Sequence, residues 1–224
     1  MERVALVTGA NRGIGLEVTR VLAARGWTVL LGARSRDKGE RAAARVAGRV
    51  EVLELDVSDD ASVAAAARAV PRLDVLVNNA AILYDTWQTG AAADLGVVHE
   101  AMETNLFGAW RVTQALLPAL RRGHHPRVVN VSSEGGSLSS MGGGTPAYSV
   151  SKAALNALTR ILAAELRPDG ILVNAVCPGW VATDMGGPGG RPLAEGAASV
   201  LWAVDLPPDG PTGTFTRDGR PLSW

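Results

Sequence analysis

The feature that most constrains the fold is a regular alternation of two kinds of segment. Short apolar runs rich in valine, leucine and isoleucine are separated by alanine-rich stretches with helical spacing. Continuous apolar strands that alternate with helices are typical of a parallel sheet covered on both faces. Right-handed crossovers then give a doubly wound sheet. The runs are VALVT, WTVLLGA, VEVLEL, LDVLVNN, RVVNVSS, ILVNAV and a final short GTFT.

This alternation predicts the α/β class, as a single-domain Rossmann fold over residues 1–224. We expect a doubly wound parallel sheet of about seven strands with helices on both faces, because no linker interrupts the rhythm. The Gly/Pro-rich piece DMGGPGGRPLAEG is predicted to be a loop, placed to act as a mobile lid. The predicted helices are 14–25, 37–47, 58–69, 97–122, 147–167 and 193–204.

Composition excludes several classes of function. The 224 residues carry a formal net charge of zero, so the chain lacks the basic surface of a nucleic-acid-binding protein. The first apolar run is too short for a signal peptide or a membrane span, and no membrane partner is expected. The single cysteine, Cys177, favours a reducing, cytoplasmic location. It is interpreted as a small buried hydrophobic residue, with lining a site as the alternative. The three histidines form no metal-binding pattern, and no metal is expected.

A glycine-rich turn, TGANRGIG, follows the first predicted strand and opens the first helix. Gly9, Gly13 and Gly15 allow a tight turn, a close backbone approach and close helix packing. The free N–H groups at the helix start then favour an anion such as a phosphate. The spacing is GxxxGxG, not the GxGxxG of the standard dinucleotide fingerprint. The alternative is a glycine-rich loop without a ligand.

The end of the second predicted strand suggests which nucleotide is bound. Enzymes that use NAD place an acid there for the ribose hydroxyls, but this chain has Arg34, and Arg12 lies in the glycine turn. Two arginines that converge near the ribose suit a 2′-phosphate, unless Arg34 only covers the sheet edge. Asp37 is the rival ribose ligand, but we expect it to cap the second helix. Asp56, after the third strand, is expected either to accept from an adenine amino group or to cap the third helix.

The segment AYSVSK holds one of only two tyrosines and one of only two lysines. Tyr148 and Lys152 are four residues apart, so on a helix they share one face. An ammonium group beside a phenol stabilises the phenolate, and we expect Lys152 to lower the pKa of Tyr148 towards the range of a general acid or base. The alternative is a polar pair on a surface helix, because YxxxK alone is a weak motif.

Taken together, TGANRGIG, NNAA, NVSS, YSVSK and PGWVATDM resemble, in order and spacing, a classical short-chain dehydrogenase/reductase. The resemblance covers essentially the whole chain and is nearest to the carbonyl reductase branch, through RVVNVSS, CPGWVATDM and the ending PTGTFTRDGRPLSW. It implies NADP(H) as the cofactor and a small carbonyl or alcohol as the substrate.

Carried over by position, the resemblance implies a role for each residue that matches a motif. Tyr148 matches the catalytic acid/base and Lys152 its partner. Ser133 matches the catalytic serine, with Ser132 as the competing choice. Asn105 matches an asparagine that anchors a water of the proton relay. The implied cofactor-binding residues are Gly9, Asn11, Arg12, Gly13, Ile14, Gly15, Arg34, Asp56, Val57, Asn79, Tyr148, Lys152, Pro178, Gly179, Val181 and Thr183.

Two departures from the family pattern bear on these expectations. NNAA replaces the family's NNAG, so Ala81 adds a methyl group near the adenosine ribose. The segment between Ser133 and Tyr148 lacks the long insertion of the monomeric animal carbonyl reductases. The faces of the long helices around Asn105 and Tyr148 are then free to pack against another subunit, and we expect a homodimer or homotetramer.

The sequence therefore predicts an NADP-dependent oxidoreductase that transfers hydride between the nicotinamide and a ketone or aldehyde carbon. Ser133 would bind the carbonyl oxygen and Tyr148 would protonate it. The alternatives are an oxidising alcohol dehydrogenase, a hydroxysteroid or polyketide ketoreductase, and a non-catalytic NADP-sensing protein. The intact catalytic set argues against a sensor. The candidate substrate-pocket residues, each of which is also explained by loop packing, are Tyr84, Trp87, Ser139, Met141, Trp180 and Met185.

Overall fold

The structure, a computed structural model, describes residues 2–224. Its strands are β1 (Val4–Val7), β2 (Thr28–Ala33), β3 (Arg49–Glu54), β4 (Val75–Asn78), β5 (Arg127–Val131), β6 (Leu172–Val176), β7 (Phe215–Arg217) and β8 (Arg220–Pro221). They form one sheet in the order β3-β2-β1-β4-β5-β6-β7-β8. Only the β7–β8 pair is antiparallel among the described strands. The predicted fold class is confirmed. The eighth strand, β8, was not predicted, because it is two residues long and has no apolar run in the sequence.

Helices cover both faces of the sheet. The helices are α1 (Gly13–Ala24), α2 (Arg36–Ala43), α3 (Asp60–Ala69), α4 (Leu95–Met102), α5 (Ala109–Leu120), α6 (Pro146–Glu165) and α7 (Leu193–Val204). Helices α3, α5 and α6 pack on one face through a cluster that includes Leu76, Leu116 and Leu155. Helices α1, α2 and α7 pack on the other through a cluster that includes Val18 and Val200. Because helices cover both faces of the sheet, the side chains on both sides of the central strands β4, β5 and β6 are buried. This explains the continuous apolar sequence of these strands.

The predicted helix 97–122 is not continuous. It is divided into α4 and α5 by a π-helical segment, Glu103–Gly108, which contains the buried Asn105. Such segments are rare and occur mostly at functional sites. Gly108 ends the segment, but a single glycine inside a helical pattern does not specify a π turn, so the periodicity could not reveal it. The side chain of Asn105 makes tertiary hydrogen bonds to Ile82 and Ser151 from within this turn.

The predicted cap of the second helix is wrong, and so is the alternative that Asp56 caps the third. Ser35, not Asp37, caps α2 by accepting a hydrogen bond from the Lys38 N–H, while Asp37 lies in the first turn. Asp59, not Asp56, caps α3 by accepting from the Ala61 N–H. Several acceptors stand near each helix start, and only the backbone geometry at the first turn selects one.

The order of the strands determines which edge of the sheet carries the predicted site. The chain leaves β1 towards β2 on one side, whereas β4 lies on the other, so the carboxyl ends of β1 and β4 flank a topological switch point. The loops after β4, β5 and β6 open at the same edge, because these strands are parallel. Within residues 2–224, no helix combines the length and apolar character needed to cross a membrane.

Candidate active site

The turn after β1 presents uncovered backbone N–H groups at the carboxyl edge of the sheet. Gly9 and Gly13 have φ values of +62° and +58°, in the region that favours glycine. A Cβ atom at Gly9 would lie 2.9 Å from the backbone of Ala80. Arg12 precedes α1 in an extended conformation, and its side chain makes no capping hydrogen bond. The first N–H groups of α1 therefore suit an anionic ligand. Asn11 and Ile14, in the same turn, are partly exposed.

Asn79 holds this turn from the end of β4. Its Nδ2 atom donates to the carbonyl oxygens of Thr8, at 2.8 Å, and Gly9, at 3.2 Å. A Cβ atom at Gly15 would lie 2.5 Å from the same Nδ2 atom, which requires glycine there. The amide nitrogen expected on the ribose side is thus already used to fix the shape of the turn.

The segment after β6 folds over the glycine turn. Pro178 and Val181 are buried, and Gly179 has φ of +77°. Two backbone bridges, Val181–Arg191 and Thr183–Gly187, hold the segment in shape. Its mobility as a lid stays a prediction.

An ion pair joins this segment to the glycine turn. Arg12 Nη1 lies 3.0 Å from Asp184 Oδ2, and both side chains are largely exposed. Arg12 therefore points towards Asp184, not towards the ribose end where we expected it to converge with Arg34. Such an exposed pair stabilises the fold weakly and yields readily to a better partner.

Arg34 directly follows β2, at the end of the site where we expect the ribose. It lines a cavity of about 450 Å³ together with Glu54, Asp56 and Asp59. The Ser58 hydroxyl, a backbone hydrogen bond and the charge of Arg34 hold the pKa of Asp56 below its ordinary value, against the effect of burial. The neighbouring Val57 is buried in the hydrophobic core, and its predicted contact with the adenine stays a prediction.

The departure at Ala81 causes no backbone strain. Among the described residues other than glycine, positive φ occurs only at His125, Thr145 and Asp218. The methyl group of Ala81 is therefore accommodated without a conformation that needs glycine.

Tyr148 and Lys152 lie one turn apart on α6, as their spacing predicts. Lys152 Nζ is 5.6 Å from the centre of the Tyr148 ring. The lysine is almost completely buried and donates a hydrogen bond to the Val131 carbonyl oxygen at 2.8 Å. A side chain at Gly136 would lie 2.6 Å from the Lys152 backbone, so α6 is packed tightly against the loop after β5.

The expected effect of Lys152 on the pKa of Tyr148 is wrong for this structure. Burial raises the pKa of Tyr148 to about 12, although a hydrogen bond with Ser133 acts in the opposite direction. Part of the ring remains accessible, but the phenol lies deep enough in the cleft to lose its hydration. Burial also lowers the pKa of Lys152 to about 8. Desolvation outweighs charge here, so at neutral pH the phenol keeps its proton and the ammonium group is mostly charged.

The two serines after β5 have different surroundings. Ser132 is buried, and its hydroxyl donates to Asn156 Oδ1 at 2.6 Å. Ser133 is partly exposed, accepts from the Gly135 N–H at 3.1 Å, and lies close enough to the Tyr148 phenol to act on its pKa. The geometry therefore favours Ser133 as the serine that can contact a substrate.

Asn105 occupies the π-helical segment and is connected to α6 through Ser151. Its Oδ1 atom accepts from the Ile82 N–H at 2.8 Å, and its Nδ2 atom donates to the Ile82 carbonyl at 3.0 Å. The same Nδ2 atom donates to Ser151 Oγ at 2.9 Å. Both ends of the amide are engaged within the protein. The predicted role of Asn105 in holding a water stays a prediction, and such a water would have to bind the backbone carbonyl oxygen of Asn105.

Cys177 is buried, as expected, and it lies directly beneath the catalytic loops. Its Sγ atom accepts hydrogen bonds from the backbone N–H groups of Glu134, at 3.3 Å, and Gly179, at 3.4 Å. The interpretation as a small buried group agrees with this placement, and a role in lining a site stays a prediction.

The six candidate pocket residues all lie on loops after β4, β5 or β6. Trp87 and Trp180 are the most exposed of the five large apolar ones, at 74% and 64%. Trp180 Nε1 donates to the Gly186 carbonyl at 2.7 Å, which fixes the indole within its own loop. Ser139 donates its N–H to the Trp224 carbonyl at 3.0 Å. These contacts support loop packing, and a role in binding substrate stays a prediction.

The sequence profile of the short chain dehydrogenase family matches residues 3–191, most of the chain. This protein belongs to that family. The match spans the glycine turn, the Ser133–Tyr148–Lys152 group and the segment over the turn, so the resemblance found from the motifs is confirmed.

Individual relatives place this short-chain dehydrogenase near the carbonyl reductases. It is 35% identical to carbonyl reductase [NADPH] 1 of Oryctolagus cuniculus, over 99% of this chain and 98% of the relative. It is 42% identical to the monensin polyketide synthase putative ketoacyl reductase of Streptomyces virginiae, over 82% of this chain and 72% of the relative. Among solved structures, the NADPH-bound carbonyl reductase from chicken fatty liver superimposes with a TM-score of 0.89 at 30% identity, covering 100% of this chain and 99% of the other.

Sequence reasoning missed two buried polar residues of this dehydrogenase that contact α6, the helix that carries Tyr148 and Lys152. Asp85 is fully buried in the loop after β4, and its carboxylate reaches the start of α6. Ser151, also fully buried, lies between Asn105 and Tyr148. Thr145–Pro146 is a standard helix start, which suggests that the helix caps itself, so no local signal pointed to Asp85.

We expect Ser133→Ala to lower kcat of this short-chain dehydrogenase more than Ser132→Ala does, by about tenfold or more. Ser133 can contact the substrate, whereas Ser132 only joins β5 to Asn156. Ser132→Ala should instead lower the melting temperature, because it leaves a buried amide without its partner. Steady-state kinetics and thermal melts of both variants check this, and the reverse order of kcat would assign the catalytic role to Ser132.

Proposed function

We propose that this protein reduces a ketone or aldehyde to the alcohol with NADPH as the hydride donor, and that Tyr148 donates the proton. The observation that carries the proposal is the pairing on α6: Lys152 Nζ lies 5.6 Å from the centre of the Tyr148 ring, and burial keeps the phenol protonated at neutral pH. A neutral phenol beside a buried cation is suited to give a proton to an oxygen on which negative charge develops.

Three residues have separate roles in the proposed reduction. Ser133 donates a hydrogen bond to the carbonyl oxygen and fixes its position. Tyr148 transfers its proton to that oxygen, and the charge of Lys152 stabilises the phenolate that remains. The buried Lys152 is held by the Val131 carbonyl, which keeps its charge close to the ring.

The chain's donor groups fit a dinucleotide. The uncovered N–H groups of α1 suit a pyrophosphate, and Arg34 at the other end of the cleft suits a phosphate on the ribose. NADPH, when bound, supplies the hydride. Arg12 is held by Asp184 through a weak exposed pair, and a phosphate is a better partner for its guanidinium.

The protonation state of Tyr148 is the one that reduction requires. Burial raises the pKa of Tyr148 to about 12, so at neutral pH the phenol has a proton to donate. Oxidation of an alcohol by the same residues stays the alternative, with the phenolate as the base.

The proposal is tested by the consumption of NADPH with a panel of aryl aldehydes, quinones, α-keto esters and bicyclic ketones. We expect turnover of at least one class, with stoichiometric formation of the alcohol. The relatives that are carbonyl reductases support the choice of panel. Cofactor binding without consumption across the panel would favour the sensor alternative.

The cofactor preference depends on Arg34, and we expect at least about tenfold higher kcat/KM with NADPH than with NADH. A charge-assisted hydrogen bond contributes about 1.5–3 kcal/mol, equivalent to roughly 10- to 150-fold. In Arg34→Asp the carboxylate repels a phosphate, so the preference should be lost through weaker binding of NADPH. Kinetics with both cofactors on the wild type and Arg34→Asp check this. An unchanged preference would transfer the ribose contact to Asp37.

We also infer that the protein forms a homodimer or homotetramer through the outer face of α5 and α6. Three large apolar side chains are exposed in these helical segments: Phe107 in the π-helical turn before α5, and Val150 and Ile161 on α6, at 43%, 49% and 51%. Exposed apolar groups of this size favour burial against a second copy. Sedimentation velocity measures the state directly, and a monomer across the micromolar range would contradict it.

A further inference from the structure

Helix α6, which carries Tyr148, begins in an unusual way. Its first residue, Pro146, has no N–H group, and the preceding Thr145 has φ of 42° and ψ of 51°. A capping residue normally has an extended backbone, which lets its side chain accept from the second or third N–H of the helix. In the left-handed conformation Thr145 makes no such capping bond. This conformation is rare for a β-branched residue, so the surroundings must hold it in place.

Asp85 supplies the missing cap from another part of the chain. Its Oδ2 atom accepts a hydrogen bond from the Ala147 N–H at 2.7 Å and a longer one from the Tyr148 N–H at 3.4 Å. The side chain is fully buried, and its other oxygen, Oδ1, has no hydrogen-bond partner within residues 2–224. An unpartnered buried carboxylate oxygen opposes folding, so the stability of the helix alone does not explain this residue.

The carbonyl group of Tyr148 is held from the opposite side. Ser151 Oγ donates to it at 2.7 Å and accepts from Asn105 Nδ2 at 2.9 Å. Asn105 in turn binds both backbone groups of Ile82, which lies three residues before Asp85. The chain from Ile82 to Asp85 thus closes a hydrogen-bonded ring that includes both peptide groups of Tyr148.

We propose that Asp85 is a positioning residue for the proton transfer, because it fixes the backbone of Tyr148 within this ring and so sets where the phenol stands relative to Ser133. This inference rests on the proposed function, in which Tyr148 is the proton donor. Tyr148 is only the third residue of α6, where an uncapped helix frays first. Small displacements of a reacting group are costly, since a shift of about 1 Å can reduce the rate about 10²-fold.

The test is a double-mutant cycle between Asp85 and the Tyr148 hydroxyl. We expect Asp85→Ala to lower kcat by about 10- to 100-fold while the Kd of NADPH, from fluorescence titration, stays within about twofold. In a Tyr148→Phe background the same change should alter the residual kcat by less than about twofold, because no phenol remains to be positioned. Asp85→Asn keeps an oxygen that can accept from Ala147 and should restore most of the activity.

Asp94→Ala is the matched control, since Asp94 caps α4 by accepting from the Gly96 N–H at 2.8 Å. It should lower the melting temperature and leave kcat within about twofold. If Asp85→Ala does not fold, Ser151→Ala removes the other side of the ring and retains good helix propensity. Its loss of kcat should likewise disappear in the Tyr148→Phe background.

Equal fold-losses from Asp85→Ala with and without the Tyr148 hydroxyl would overturn the proposal, as would a kcat close to that of the wild type. Near-normal turnover in Tyr148→Phe alone would instead refute the proposed function. The two failures are therefore distinguishable within one set of variants.

Discussion

Tyr148→Phe should fold, bind NADPH with unchanged Kd, and lose about 10²–10⁴-fold in kcat. Phenylalanine keeps the ring that packs in the cleft and removes only the group that gives up the proton. Asp85 still accepts from the N–H groups of residues 147 and 148, and Ser151 still binds the carbonyl of residue 148, so the start of α6 is not disturbed. Carbonyl reduction by the purified variant and a fluorescence titration of NADPH measure the two quantities separately.

The chain contains its own control for this change. Tyr84 is the only other tyrosine, and it is about half exposed. Tyr84→Phe removes the same hydroxyl group from a candidate pocket residue, so KM is free to change, but kcat should fall far less than in Tyr148→Phe. If Tyr148→Phe retained turnover within about threefold of the wild type, the proton would have to come from another group, and Ser133 would be the first candidate.

Lys152→Arg should cost about 10²-fold or more in kcat, although the charge is retained. The ammonium group of Lys152 is almost completely buried and held by the Val131 carbonyl, and Gly136 packs closely against its backbone. The larger planar guanidinium cannot occupy the same place without displacing α6. Lys38→Arg makes the same chemical change at the only other lysine, on the exposed side of α2, and should leave kcat near the wild-type value.

The pH profile adds a second readout for this variant. The pKa of Lys152 is about 8, because burial lowers it, so the charged form predominates below that pH and is lost above it. The kcat/KM for reduction by the wild type should therefore fall as the pH rises through about 8. In Lys152→Arg this alkaline decline should disappear, since arginine stays protonated throughout the accessible range. A variant with normal kcat would show that positive charge alone is sufficient.

The sequence was sufficient to predict the elements whose signals are local. Strands buried on both faces read as continuous apolar runs, and the glycine turn and the Tyr148–Lys152 pair are visible as short motifs. The structure confirms the fold class and the common face of this pair. The π-helical turn around Asn105 and the hydrogen bonds of Asn79 were not predictable, because tertiary partners distant in the chain impose them.

Electrostatics was the weakest part of the prediction. Spacing suggested that Lys152 lowers the pKa of Tyr148, but burial reverses the direction. Likewise, the positions of Arg12 and Arg34 in the sequence predicted that both side chains lie near the ribose, whereas in the structure Arg12 pairs with Asp184. In both cases the outcome depends on solvent exposure and on competing partners, and neither can be read from the spacing of residues.

The capping of α6 by a residue 62 positions earlier has a consequence for engineering this scaffold. The loop after β4 also carries Tyr84 and Trp87, so it is a natural target for grafts intended to change specificity. A graft that replaces Asp85 removes a contact that the recipient helix cannot supply for itself, because Thr145 makes no capping bond. Libraries and chimeras should therefore vary this loop with Asp85 kept fixed, or exchange the loop and the start of α6 together as one unit.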